Sequence, residues 1–133
     1  MSEEPSLFER MKRSLVHNVA DTRDSEWYPD LKPRRYEAGL GEVFEAVRRV
    51  VEGRERWEVV EASADEREGT VEAEVETKWA GFVDDLSVEL SVEADEVVVH
   101  ARSASRVGKG DLGQNARTIR ELFGRLDGEI KGR

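Results

Sequence analysis

The chain contains no cysteine, which excludes disulfides, thiol nucleophiles and cysteine-ligated zinc together. Its two histidines, His17 and His100, are too few for a histidine-rich metal site, so no metal and no cofactor are expected. No apolar run approaches the roughly 18 residues of a membrane span. The opening stretch "MSEEPSLFERMKRSLVHN" has no apolar signal core, so a soluble, cytoplasmic protein is the expectation. Lysine is also scarce, with 5 Lys beside 16 Arg. The 30 acidic residues outnumber the 21 basic ones and set a net charge of −9. Such a field repels phosphate backbones, and nucleic acid is not an expected partner.

What remains is a chain of 133 residues, the usual size of one domain. Ser6 and Glu9 have the spacing of a capping box, and Leu7, Phe8, Met11 and Leu15 follow at helical intervals. A short helix is therefore expected within residues 1–20. From Asp21 to Lys32 there is no period, and Pro29 and Pro33 mark a loop or extended arm. The expected division is an N-terminal helix and arm over 1–33 and an α+β domain over 34–133.

Residues 34–38 read as a short strand. In 41–53, Val43, Phe44, Val47, Val50 and Val51 share one helical face, and Gly53 stands where a helix stops. "WEVVEASADEREG" (57–69) is a strand running into a polar turn. "TVEAEVETKW" (70–79) alternates strictly, with Val71, Ala73, Val75 and Trp79 on one side and Glu72, Glu74 and Glu76 on the other. The alternation resumes at Leu86, Val88, Leu90 and Val92. A turn at 94–96 then leads into a last strand, 97–105. Asp111 is placed to N-cap a final helix over 111–130, with Leu112, Ala116, Ile119, Leu122, Phe123 and Leu126 at steps of three and four.

The order is β-α-β-β-β-β-α plus the short N-terminal helix. One sheet face is apolar and two amphipathic helices are available to cover it. That predicts a two-layer α+β sandwich, an antiparallel sheet of about five strands with both helices on one face. Val71, Val75, Trp79, Leu86, Val88 and Leu90 should face those helices.

Two segments stand out as chemistry. Asp84 and Asp85 could bind a metal or divide acid and base roles, but neighbours on a strand point to opposite faces. Their plainer use is a turn cap or an ion pair with arginine. Arg102, Ser103, Ser105, Arg106, Gly108, Gly110 and Asp111 lie between the last strand and the last helix. Helix N–H groups, accessible glycine backbone and guanidinium donors together suit an anion there. "GKGDLG" matches no phosphate-loop or dinucleotide motif, and its plainer reading is an internally satisfied corner. Neither histidine has a nucleophilic partner nearby in sequence.

"GFVDDLSVEL" and "VVVHARSASRVGKGDLGQNARTIREL" resemble the signature of the DUF1499 family, a domain of unknown function. The resemblance is carried by Phe82, Val83, Asp84 and Asp85, by Arg102 to Gly108, and by Asp111, Leu112, Gly113 and Asn115. It covers about the last fifty residues most strongly. The family often has cysteine where Val19 stands, so thiol chemistry does not carry over. What the resemblance implies is a domain and a choice of site residues, with no reaction attached.

The leading expectation is a non-catalytic domain that binds a small anionic ligand or a protein partner at the corner made by 82–85 and 102–115. Its candidate residues are Asp84, Asp85, Arg102, Ser103, Ser105, Arg106, Asp111 and Asn115. One alternative is an enzyme acting on an anionic substrate, with Asp84 or Asp85 as base and Arg106 as stabiliser. The other is a scaffolding domain with no pocket at all. A cleft in which these polar groups converge separates the readings.

Overall fold

The computed structural model describes residues 19–24, 28–77, 82–106 and 113–131. In chain order their elements are β1 (Val19–Asp21), β2 (Arg34–Tyr36), α1 (Leu40–Glu52), β3 (Trp57–Ala64), β4 (Glu68–Glu76), β5 (Val83–Glu93), β6 (Glu96–Ser105) and α2 (Gln114–Lys131). All strand pairs are antiparallel. The sheet runs β1-β6-β5-β4-β3, and β2 joins the same edge of β6 further along. The two-layer α+β architecture expected from the sequence is the one found.

The sheet has six strands rather than about five. The addition is β1, whose Val19 and Ala20 close the stretch read as a helix and whose Asp21 opens the stretch read as a loop. Three residues are too few to show alternation, and the strand exists because β6 supplies its partners Ser103 and Ala104. The rest of the expected N-terminal helix, and Trp79, lie outside the described residues. None of the described helices is long and apolar enough to cross a membrane.

Register explains the core. Successive rows across the inner face read Gly69, Leu90, Val99; then Val71, Val88, Ala101; then Ala73, Leu86, Ser103; then Val75, Asp84, Ser105. Val71, Leu86 and Val88 are fully buried, and Val75 and Leu90 nearly so. Against them pack Val43, Val47 and Val51 of α1 and Ile119, Leu122, Phe123 and Leu126 of α2. The rows thus run from purely apolar to polar at one end of β5 and β6, and that end faces the start of α2.

β2 and the arm before it are tied to α2 by polar contacts. Tyr36 donates its hydroxyl to Asp127 Oδ1 at 2.6 Å, and Arg34 reaches Asp127 Oδ2 at 3.3 Å with its guanidinium 4.9 Å from the Phe123 ring. Burial first, and then the Asp127 carboxylate, hold the Tyr36 phenol far above its ordinary pKa. Arg120 grips Asp30 through two hydrogen bonds, of 2.7 and 3.0 Å.

Candidate functional site

β5 and β6 pair so that Asp84 lies opposite Ser105, Asp85 opposite Ala104, Leu86 opposite Ser103 and Ser87 opposite Arg102. Side chains alternate along each strand, so the residues singled out in the sequence are dealt to opposite faces. Asp84 and Ser103 face inward, 2% and 0% exposed, and Ser105 shares their side. Asp85, Arg102 and Arg106 are exposed on the outer face. Asp111 lies outside the described residues, and Asn115, in the first turn of α2, joins the inner group.

Three members of that inner group, Ser103, Asn115 and Ser105, form a hydrogen-bonded chain. Ser103 Oγ donates to Asn115 Oδ1 at 2.6 Å, and Asn115 Nδ2 donates to Ser105 Oγ at 3.0 Å. One fully buried amide therefore stitches the first turn of α2 to the end of β6. Buried polar groups are tolerated in a core only when they are bonded in this way. The expected cap at Asp111 lies outside the described residues; α2 is described from Gln114, and Gly113 before it has a φ of 82° and accepts the Arg117 N–H at 3.1 Å through its carbonyl. A position at such an angle favours glycine.

The outer group is an ion network. Arg106 donates Nε to Asp85 Oδ1 and Oδ2 at 3.2 and 3.0 Å and Nη2 to Oδ1 at 2.8 Å, and it also bonds Glu74. Its backbone N–H donates to the carbonyl of Val83 at 3.3 Å, which seats it at the mouth of β5. Asp85 first, and then Glu74, push the guanidinium above its ordinary pKa. The Asp–Arg pair expected from the sequence is present, but both side chains are about half exposed, 48% and 51%. Exposed pairs contribute little to stability, so Arg106→Ala is expected to leave the thermal melting curve close to the wild type at physiological salt, measured by circular dichroism.

Two expectations are redirected by this geometry. Asp84 and Arg106 leave opposite faces of the sheet, so a base at Asp84 and a stabiliser at Arg106 do not share a site. An anion approaching Arg106 meets two carboxylates already seated on the guanidinium, while the α2 N-terminus lies on the other side of the sheet. Arg102 has Asp21 at 3.9 Å, and Lys109 lies outside the described residues.

Sequence reasoning gave no role to Thr22 and His100. Thr22 is buried; its Oγ1 accepts the Ala101 N–H at 3.0 Å and lies 3.1 Å from His100 Nδ1, and its N–H donates to the Ala101 carbonyl. A buried hydroxyl proton needs an acceptor, which makes Nδ1 the acceptor and puts the ring proton on Nε2. Burial, followed by the charge of Arg23, lowers the His100 pKa below its ordinary 6.5. The folded chain therefore prefers the neutral ring, and the unfolded chain takes up the proton first as pH falls. This stability is fully present above about pH 6.5 and drains away as pH falls through the depressed folded value. Urea midpoints measured between about pH 7.5 and about pH 5 should decline less steeply in His100→Asn than in the wild type.

The clefts lined by described residues include the following four. One of about 580 Å³ lies between the C-terminal ends of α1 and α2, around Arg49, Arg54 and Arg125. Others of about 300 and 360 Å³ flank the β3–β4 turn and His100. The fourth, about 350 Å³, adjoins the outer corner through Glu74 and Val83. None of the four is lined by Asp84, Ser103, Ser105 or Asn115. Among the described residues, no group of three or more His, Asp or Glu could hold a metal ion.

Residues 3–126 match the model of a family described as "Protein of unknown function (DUF1499)". No curated protein matches the chain. Among solved structures, CalU16 from Micromonospora echinospora is similar at 14% identity and a TM-score of 0.39, over 75% of this chain and 76% of that one. TTHA0849 from Thermus thermophilus is similar at 10% identity and a TM-score of 0.36, over 86% of this chain and 96% of that one.

Proposed function

The chain belongs to the DUF1499 family, and from the geometry of its corner we propose that it is a non-catalytic binding domain whose outer corner docks a protein partner. The observation that carries this reading is Phe82, 48% exposed, adjacent in sequence to Val83, whose carbonyl holds the Arg106 backbone. A large exposed aromatic next to an arginine is the combination that most often anchors protein interfaces. The arginine is oriented beforehand by Asp85 and Glu74, so little side-chain freedom is lost on docking.

The inner cluster has a supporting part in this reading. Ser103, Ser105 and Asn115 are spent on one another and fix the end of β6, from which Arg106 emerges. Of the two bases the alternative enzyme offers, Asp84 lies on the face opposite Arg106, and Asp85 is itself bonded to the Arg106 guanidinium.

Site-specific photo-crosslinking tests the proposal. A benzophenone amino acid placed at Phe82 should give discrete protein adducts in the cells that express this chain, and Arg106→Glu should abolish them. The same group at Glu45, on the exposed side of α1, should give none. Equal adduct patterns from both positions would refute the corner as a docking surface. A saturable rise in melting temperature with a metal, phosphorylated metabolite or fatty acid, with no adducts at Phe82, would return the reading to a small ligand.

A further inference from the structure

We infer that the free edge of β3 accepts an extended, lysine- or arginine-bearing segment of another protein as an added strand. This goes beyond the corner reading and rests on different observations. β3 ends the strand order and pairs with β4 alone among the described strands. Edge residues turn alternate N–H and C=O groups away from the sheet, and strand addition uses those groups for affinity and flanking side-chain pockets for specificity.

The chemistry around this edge selects the sign of the partner. The charged residues within β3 are Glu58 and Glu61, both exposed. Neither they nor Glu76 on β4 takes part in an ion pair among the described residues, whereas Arg23, Arg35, Arg48, Arg49, Arg54 and Arg120 all do. At the start of β3 a cleft of about 350 Å³ is lined by Glu58, Glu74 and Glu76, with Arg56, Trp57 and Val83 also on its lining, and of the three carboxylates Glu74 is already bonded to Arg106. An ammonium or guanidinium group entering it meets the carboxylates of Glu58 and Glu76, unpaired among the described residues, the charge that such a cation prefers. Val60, 60% exposed beside the register shift between Val59 and Glu61, offers the incoming strand an apolar contact.

A bulge and charges are also the usual guards against unwanted edge pairing. Here the guards are carboxylates, which repel a second copy of this acidic chain and favour a basic strand. The occupant is accordingly a basic partner segment and not a homodimer.

The test is an NMR titration of the isotopically labelled chain with a synthetic peptide of about ten residues in which Lys alternates with Val and Thr. Saturable amide shifts are expected along 57–64 and at Glu76 and Val83, with binding about tenfold weaker for Glu58→Lys/Glu61→Lys. Both glutamates are exposed, so an unchanged amide spectrum elsewhere establishes that this variant folds. A counterpart peptide with Glu for Lys should not bind. Absence of saturable shifts, equal binding by the acidic peptide, or shifts spread over the whole outer face of the sheet would each overturn the proposal. Crosslinking at Phe82 is a separate readout, so failure here leaves the corner reading to stand or fall by itself.

Discussion

Truncating Asn115 to alanine is expected to lower the free energy of unfolding by about 2–4 kcal/mol. The side chain is fully buried and bonds Ser103 at 2.6 Å and Ser105 at 3.0 Å, so its removal breaks two hydrogen bonds at once. Ser103 is also fully buried, and its hydroxyl loses the acceptor that Asn115 supplied. A stranded donor in a core costs more than the bond it made. Equilibrium urea unfolding measures the loss. The double variant Ser103→Ala/Asn115→Ala should be less destabilised than the two single losses summed, because the stranded hydroxyl is then gone.

A loss of about 3–5 kcal/mol is expected for Phe123→Ala, the usual range for removing a buried phenyl ring. Phe123 is 1% exposed and sits with Ile119, Leu122 and Leu126 on the stripe by which α2 covers the sheet. It also lies under the Arg34 guanidinium at 4.9 Å, so the vacated space adjoins the Arg34, Tyr36 and Asp127 contacts. Phe123→Leu, which refills most of that volume, should recover the larger part of the loss. If the alanine variant instead unfolds within about 1 kcal/mol of the wild type, α2 is not packed as described.

The parts of this molecule that were legible in the sequence are those set by a period. Glu72, Glu74 and Glu76 alternate with Val71, Ala73 and Val75, and the sheet indeed buries the second set and leaves the first at least partly exposed. The same period-two rule correctly separated Asp84 from Asp85. Tertiary pairing was not legible. β1 has three residues and no pattern of its own, and it forms because β6 has an open edge beside it. Arg106 finds Glu74 only because β4 and β5 pair with Glu74 opposite Asp85, a register no local sequence feature announces. Thr22 and His100 meet across 78 residues of chain for the same reason.

The candidate site shows the same division. Residue types singled out one corner, and alternation gave the faces of Asp84 and Asp85. What the sequence left open was that Ser103, Ser105 and Asn115 would satisfy one another on the inner face while Arg106 was satisfied on the outer. That depends on where α2 begins. Gly113, with its φ of 82°, precedes the described start at Gln114, and Asn115, one residue further on, reaches β6.

The central claim is that the buried cluster on one face of the sheet holds the docking corner on the other. Amide hydrogen exchange, followed by mass spectrometry on the wild type and on Asn115→Ala under conditions where both are folded, tests it most directly. The account predicts faster exchange in the variant at 82–85 and 103–106, with the strands β3 and β4 away from that corner exchanging as before. Unchanged exchange at 82–85 and 103–106 would contradict it, and so would a uniform acceleration across the whole sheet.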